Sequence, residues 1–166
     1  MRIVFEATPS TAGARRIVRL PADASGQLPS RGMAMVRGTL GGAAFEAAVE
    51  PDGKGGHWLE LAPGQAGEGT LRFDVEPIDK WPEPDIPRDI ADAIVRAGLT
   101  GRWDDLTAKA RWAWFRWIRA AANPATRQKR IEVACSKLSR GDRRPCCFNA
   151  SGCTVPDVSK SGILID

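Results

Sequence analysis

The sequence predicts an α+β chain: a small β-barrel or sandwich, then a helical C-terminal domain, then an irregular Cys-containing tail. Three observations carry this. Apolar residues alternate with period two in short runs up to residue 77. Three prolines follow, at 82, 84 and 87. Beyond them the apolar spacing becomes helical. The resulting boundaries are 1–79 for the barrel, 80–87 for a Pro-rich linker, 88–141 for the helical domain and 142–166 for the tail.

Five runs read as strands, each bounded by Gly or Pro clusters: RIVFEAT (2–8), RGMAMVRGTL (31–40), AAFEAAVE (43–50), HWLEL (57–61) and TLRFDVEP (70–77). Phe45, Ala47 and Val49 alternate with Glu46, Ala48 and Glu50, and Leu71, Phe73 and Val75 with Arg72, Asp74 and Glu76. One polar face at period two is the mark of a half-buried antiparallel strand. Gly41-Gly42 joins two of these runs as a two-residue hairpin turn. Five or six such strands suffice for a barrel.

After the linker, Pro87 opens a helix with the stripe Ile90, Ile94 and Val95, closed by Gly98. Asp104-Asp105 are expected to open a second helix, whose stripe runs Leu106, Ala110, Trp114, Trp117, Ile118 and Ala121. Asn123-Pro124 ends it, and Asn123 is a candidate cap for a third helix with the stripe Ile131, Ala134, Cys135 and Leu138. Gly141 stops that helix, and Ile163-Leu164-Ile165 form an apolar anchor for the tail, with Phe148 a second anchor.

With 43% hydrophobic and 27% charged residues, the composition is that of an ordinary globular protein. No apolar run is long enough to span a bilayer, so membrane insertion is not expected. The start, MRIVFEATPS, lacks a signal-peptide pattern, which makes a reducing cytoplasm the expected location. Residues 1–86 hold 9 Lys and Arg against 12 Asp and Glu, a balance of −3; residues 87–166 hold 15 against 8, a balance of +7. Positive charge therefore belongs to the helical half.

Between residues 102 and 144, 12 cations face 4 carboxylates, with tryptophans interleaved. Arg127, Lys129, Arg130 and Lys137 lie off the apolar stripe of the third helix, and Arg143-Arg144 follow it. Such clusters bind phosphates through charge and bidentate guanidinium contacts, although the same pattern also solvates a helix. Trp112 lies off the stripe and is the aromatic expected to be exposed. Cys146, Cys147 and Cys153 have the spacing C-C-x5-C. Three readings stand for them: thiols that help dock the tail, a soft-metal site for Zn or Cu(I), or a redox or disulfide role. Cys135 falls on the apolar stripe and is expected in the core. The single histidine, His57, follows the Gly-rich loop DGKGG (52–56) and is expected on a surface turn. No G-x-S-x-G and no paired histidines are present, so hydrolase and metalloprotease templates fail and no nucleophile–base pair can be named.

Taken in order, IVRLP…GMAMVRGTLGGAAFEAAVEPDGKGGHWLEL (17–61) resembles a small bacterial β-barrel domain of unknown function. WIRAAANPATRQKRIEVACSKLSRGDRRP (117–145) resembles the YdeI/OmpD-associated family, in Trp117-Ile118, Thr126-Arg127 and Arg130-Ile131 above all. The resemblance implies a double-split β-barrel of the kind shared with AbrB-like transcription factors, followed by a small helical domain. It implies roles in bacteriocin protection and envelope-linked stress, and no established reaction. Ala120-Ala121-Ala122 fills a stretch where many relatives carry a lysine, so no role resting on that lysine carries over. The acidic barrel half argues against DNA binding by analogy with AbrB.

The functional expectation is a non-enzymatic binding or stress-protection protein. Its ligand is anionic, a small molecule or a nucleic-acid backbone, held in a groove between barrel and helices rimmed by Arg127, Arg130, Lys137, Arg143 and Arg144. The alternative is a soft-metal-binding or thiol-redox protein acting through Cys146, Cys147 and Cys153. A protein partner and the oligomeric state are left open.

Overall fold

The computed structural model describes residues 1–65, 67–145 and 154–165. They fall into two compact units: residues 1–79 with the C-terminal segment, and a second unit that begins at Lys80.

The first unit is a curled, seven-stranded antiparallel half-barrel. Its strands are β1 (Ile3–Ala7), β2 (Ser10–Ala12), β3 (Arg15–Arg19), β4 (Ala34–Leu40), β5 (Ala43–Pro51), β6 (His57–Glu60) and β7 (Leu71–Pro77). Their order is β1-β7-β4-β5-β6-β3-β2, and a short helix, α1 (Ala22–Gly26), follows β3. Gly41 and Gly42 have φ of 57° and 88°, the left-handed pair that a tight hairpin between β4 and β5 needs. The inward residues close the core: Phe5 lies directly across from Phe73 and stacks on it at 4.7 Å, and Phe45 meets Phe73 edge-on at 6.0 Å.

The sheet thus has seven strands where five or six are expected, the additions being β2 and β3. Alternation fails in β3 because consecutive residues are buried on opposite faces. Val18 enters the barrel core, whereas Ile17 enters a second cluster with Ala12, Trp58, Val155, Val158 and Leu164. In β6, Leu59 and Trp58 divide in the same way. The cover on this outer face is the C-terminal segment: a 3-10 turn (Pro156–Val158) and a small hairpin, β8 (Ser159–Lys160) and β9 (Ile163–Leu164). Leu164 is buried and Ile165 packs against the cluster, while Ile163 faces solvent.

The second unit holds α2 (Arg88–Arg96), α3 (Thr100–Asp104), α4 (Ala108–Arg119) and α5 (Pro124–Ser139). Asp104-Asp105 do not open a helix; they end α3. Thr107 caps α4 instead, its Oγ1 accepting from the Ala110 amide at 3.2 Å. Asn123 caps α5 as expected, Oδ1 accepting from the Thr126 amide at 2.8 Å. Ile90, Ile94, Trp103, Trp114, Ile118, Ile131 and Leu138 form one core. None of the helices among the described residues is long and apolar enough to cross a membrane.

Arg111 ties this unit together. Its guanidinium donates to the carbonyls of Trp103, Asp104 and Leu106 at the end of α3, and it pairs with Glu83 through both Nε and Nη2. Only 12% of its side chain is exposed. Those orphan carbonyls need a donor that no lysine supplies in the same fork. Arg111→Ala should cost about 2 kcal/mol, and Arg111→Lys should recover less than half of it. Urea midpoints of the two variants check this; equal midpoints for wild type and Arg111→Ala would refute it.

Candidate functional site

The arginines singled out by sequence are placed by the helices that carry them, and three of them brace the unit. Arg127, near the start of α5, donates from Nε and Nη2 to the Asp89 carboxylate at 2.7 and 2.9 Å, joining α5 to α2. The Arg127 guanidinium holds the Asp89 carboxyl below the ordinary carboxylate range. Arg130, one turn on, stacks 5.3 Å over the Trp117 ring and donates to the Trp117 carbonyl at 2.6 Å, joining α5 to α4. Arg143 donates to the Asp105 carboxylate and carbonyl at 3.2 and 2.7 Å. These three side chains reach different elements and do not converge.

Trp112 is not the exposed aromatic expected. It is half-buried, tilts against Phe115 at 5.8 Å, and donates its indole N–H to the Pro82 carbonyl at 2.9 Å. The reason is the Pro-rich stretch, which runs along α4: Lys109 sits over the Trp81 ring, and Arg111 pairs with Glu83. A surface position on an isolated helix thereby becomes a contact.

The structure brings Arg143 together with a residue that sequence reading passed over, Arg102. Arg102, Asp105, Leu106, Leu138, Gly141, Asp142 and Arg143 line a small cleft of about 50 Å³ where α3 meets the end of α5. Its carboxylates are already matched: Asp105 by Arg143, and Asp142 by Arg140 at 3.3 Å. Arg102 makes no ion pair among the described residues, so in a lining of two arginines and two aspartates it is the cation left without a carboxylate partner. Lys137 is half-buried and Arg144 exposed, and neither makes an ion pair among the described residues. Only the run of cations in the sequence could have pointed to Arg102. Its partner-free position depends on which carboxylates its neighbours take.

Cys146, Cys147 and Cys153 lie outside the described residues, as does Phe148, so the readings for Zn, Cu(I), redox and disulfide rest on the sequence alone. Among the described residues no group of three His, Cys, Asp or Glu stands together as a metal site. Cys135 is a free, half-buried thiol against the helical core. Burial pushes its pKa up, against a smaller opposing effect of the Arg96 charge.

His57 is the clearest correction. It is 1% exposed, the reverse of a surface turn residue. Nε2 lies 2.9 Å from the Gly32 carbonyl, which can only accept, so the ring proton sits on Nε2. Nδ1 then accepts from the Ser25 hydroxyl at 2.7 Å. A serine–histidine pair resembles half of a nucleophilic centre, but Ser25 is 2% exposed and no substrate reaches it. The pair pins α1 and the following loop to β6. Arg31 adds to it by donating to the Ser25 and Gly55 carbonyls. Signals for this role existed in sequence only as a polar residue beside Trp58.

Residues 83–141 match the family described as "Bacteriocin-protection, YdeI or OmpD-Associated", and residues 5–64 match the domain of unknown function DUF1905. No curated protein matches the chain. The first match spans the four helices with Arg102, Arg127, Arg130 and Lys137, and the second spans the half-barrel through β6 with the Ser25–His57 pair. The helical residues 83–141 are thus similar to the YdeI/OmpD-associated, bacteriocin-protection family, and residues 5–64 of the half-barrel to DUF1905.

Proposed function

We propose that the chain is a non-enzymatic binding protein of a protective kind, and that its helical unit takes an anionic ligand at the Arg102–Arg143 cleft. The observation that supports this reading is the cation left over there. Within the lining Asp105 is taken by Arg143, and Asp142 is taken by Arg140 from outside it, so Arg102 is the lining cation with no carboxylate partner among the described residues. A cleft of about 50 Å³ suits one compact oxyanion, such as a single phosphate group, better than a whole small molecule. Lys137 and Arg144 extend the same sign of charge along the chain.

The test is titration of the intact protein with inorganic phosphate and with a DNA duplex over a range of salt. Binding should weaken as salt rises, and Arg102→Ala should reduce the log–log salt slope for the duplex by about 1. Phosphate binding with the same dependence on Arg102 identifies a small ligand; duplex binding alone identifies a nucleic-acid backbone. Salt-insensitive binding, no binding, or an unchanged Arg102→Ala would overturn the reading.

A further inference from the structure

The C-terminal segment occupies the half-barrel as a guest, not as a strand. β8 and β9 pair with each other in a separate sheet and not with β2, β3 or β6. Among the described residues a single backbone hydrogen bond joins the segment to the barrel, from the Leu164 amide to the Asp52 carbonyl at 2.9 Å. Strands of the sheet itself are held by full ladders, as in the seven-residue register between β4 and β5.

Yet the seat is built in detail. The Trp58 indole N–H donates to Thr154 Oγ1 at 2.8 Å, and both residues are buried, at 1% and 3% exposure. Val155, Val158 and Leu164 fill a hollow lined by Ala12, Ile17 and Trp58. Arg15, already paired with Glu60, reaches Asp157 at 2.9 Å, and Arg19 donates to the Ile165 carbonyl at 2.7 Å. Two glycines let the segment's backbone approach. A Cβ at Gly13 would stand 2.9 Å from the Asp157 carbonyl oxygen, and one at Gly53 would stand 2.4 Å from that of Gly162. Apolar hollow, one aimed indole donor, one guanidinium and two backbone slots together read a particular peptide.

We propose that this groove is a peptide-binding site whose resident ligand is the chain's own residues 154–165. Its external ligand is a segment of a partner protein with the same chemistry, able to take the same 3-10 turn. That chemistry is hydroxyl, apolar, proline, acid, apolar, as in Thr154-Val155-Pro156-Asp157-Val158. Four of the five positions have a reader: Trp58 for the hydroxyl, the Ala12–Ile17 hollow for the two apolar residues, and Arg15 for the acid. Proline sets φ in advance and lowers the ordering cost. The site uses no residue of the Arg102 cleft and stands whether or not that cleft binds an anion.

A tethered ligand acts at an effective concentration on the order of millimolar, so an outside peptide binds the intact chain only through the open fraction. Weakening the resident segment must then strengthen binding of the outside peptide. The experiment is fluorescence anisotropy of a labelled peptide of residues 154–165 with the full-length protein and with its Asp157→Ala and Thr154→Val variants. Thr154→Val strands a buried indole N–H, so that chain should take the wild-type peptide about tenfold more tightly than the unmodified chain does. Asp157→Ala should give a gain of about threefold, as befits an exposed ion pair. The same substitutions made in the peptide should weaken its binding by the same factors. Asp157 is an exposed side chain, so its comparison decides the matter if Thr154→Val unfolds. No uptake of peptide by any chain, or equal uptake by all, would show the segment to be a fixed part of the fold and overturn the proposal.

Discussion

Trp114→Ala is expected to unfold the helical unit while leaving the half-barrel strands protected. Trp114 is 0% exposed and sits on α4 among Ile90, Ile94, Ile118, Ile131 and Leu138. Truncating a buried aromatic to alanine removes transfer free energy and leaves a cavity, at about 3–5 kcal/mol. A second loss adds to it: the indole N–H donates to the Arg143 carbonyl at 3.0 Å, fixing the chain after α5. Domains this small have little stability to lose. Amide exchange should accelerate throughout α4 and α5 and stay slow in β4 and β5, since the barrel core shares no residue with the helical core. Trp114→Phe, which keeps most of the volume and loses the indole donor, should cost about 1–2 kcal/mol. Loss of protection in both units together, or in neither, would show that Trp114 is not the keystone of the helical core.

What the sequence makes legible follows from which faces are covered. Where one face of an element meets water, period and burial agree. Phe45, Phe73 and Val75 lie inward as their alternation predicts, and the stripe of α5 buries Ile131, Ala134 and Leu138. Asn123 caps α5, and the Gly41-Gly42 turn forms, because both depend on a few adjacent residues. Where a distant segment covers the second face, the pattern dissolves. β3 buries Ile17 and Val18 in succession because residues 154–165 lie on one side and the barrel core on the other. No window around residue 17 contains that information.

The same distinction separates the legible part of the candidate site from the rest. The excess of cations in residues 102–144 is readable from a count. Which cations are left unmatched is not, because Arg127, Arg130 and Arg143 are taken by Asp89, by the Trp117 carbonyl and by Asp105, none of them a near neighbour in sequence. Trp112 departs from its expected exposure for a related reason: off-stripe on its own helix, it meets Pro82, thirty residues away. Helical periodicity describes one helix against one core and is silent about an extended segment laid along its side.

His57→Phe should flatten the acid limb of the stability curve as well as lower its plateau. At pH 8 the variant keeps the ring volume but leaves the Gly32 carbonyl and the Ser25 hydroxyl without their buried partner, a loss of about 2–4 kcal/mol. The pH dependence is the sharper test. Burial is the largest effect on the His57 pKa and lowers it below the ordinary histidine value. The charge of Arg31 works in the same direction, and the Gly32 carbonyl and Asp52 oppose it. With the folded pKa depressed, the unfolded chain binds the proton first, so stability is complete above the unfolded pKa of about 6.5 and falls as the pH drops below it. The decline has a slope of at most about 1.4 kcal/mol per pH unit and ends at the folded pKa, below which both states are protonated. His57→Phe has no such group, so the gap between the two proteins should narrow steadily from pH 6.5 towards pH 5, above the range where most carboxylates titrate. Urea unfolding at half-unit pH steps measures this. Parallel curves for the two proteins would mean that His57 titrates alike in both states, and the neutral Ser25–His57–Gly32 chain would then be the wrong description of the barrel's interior.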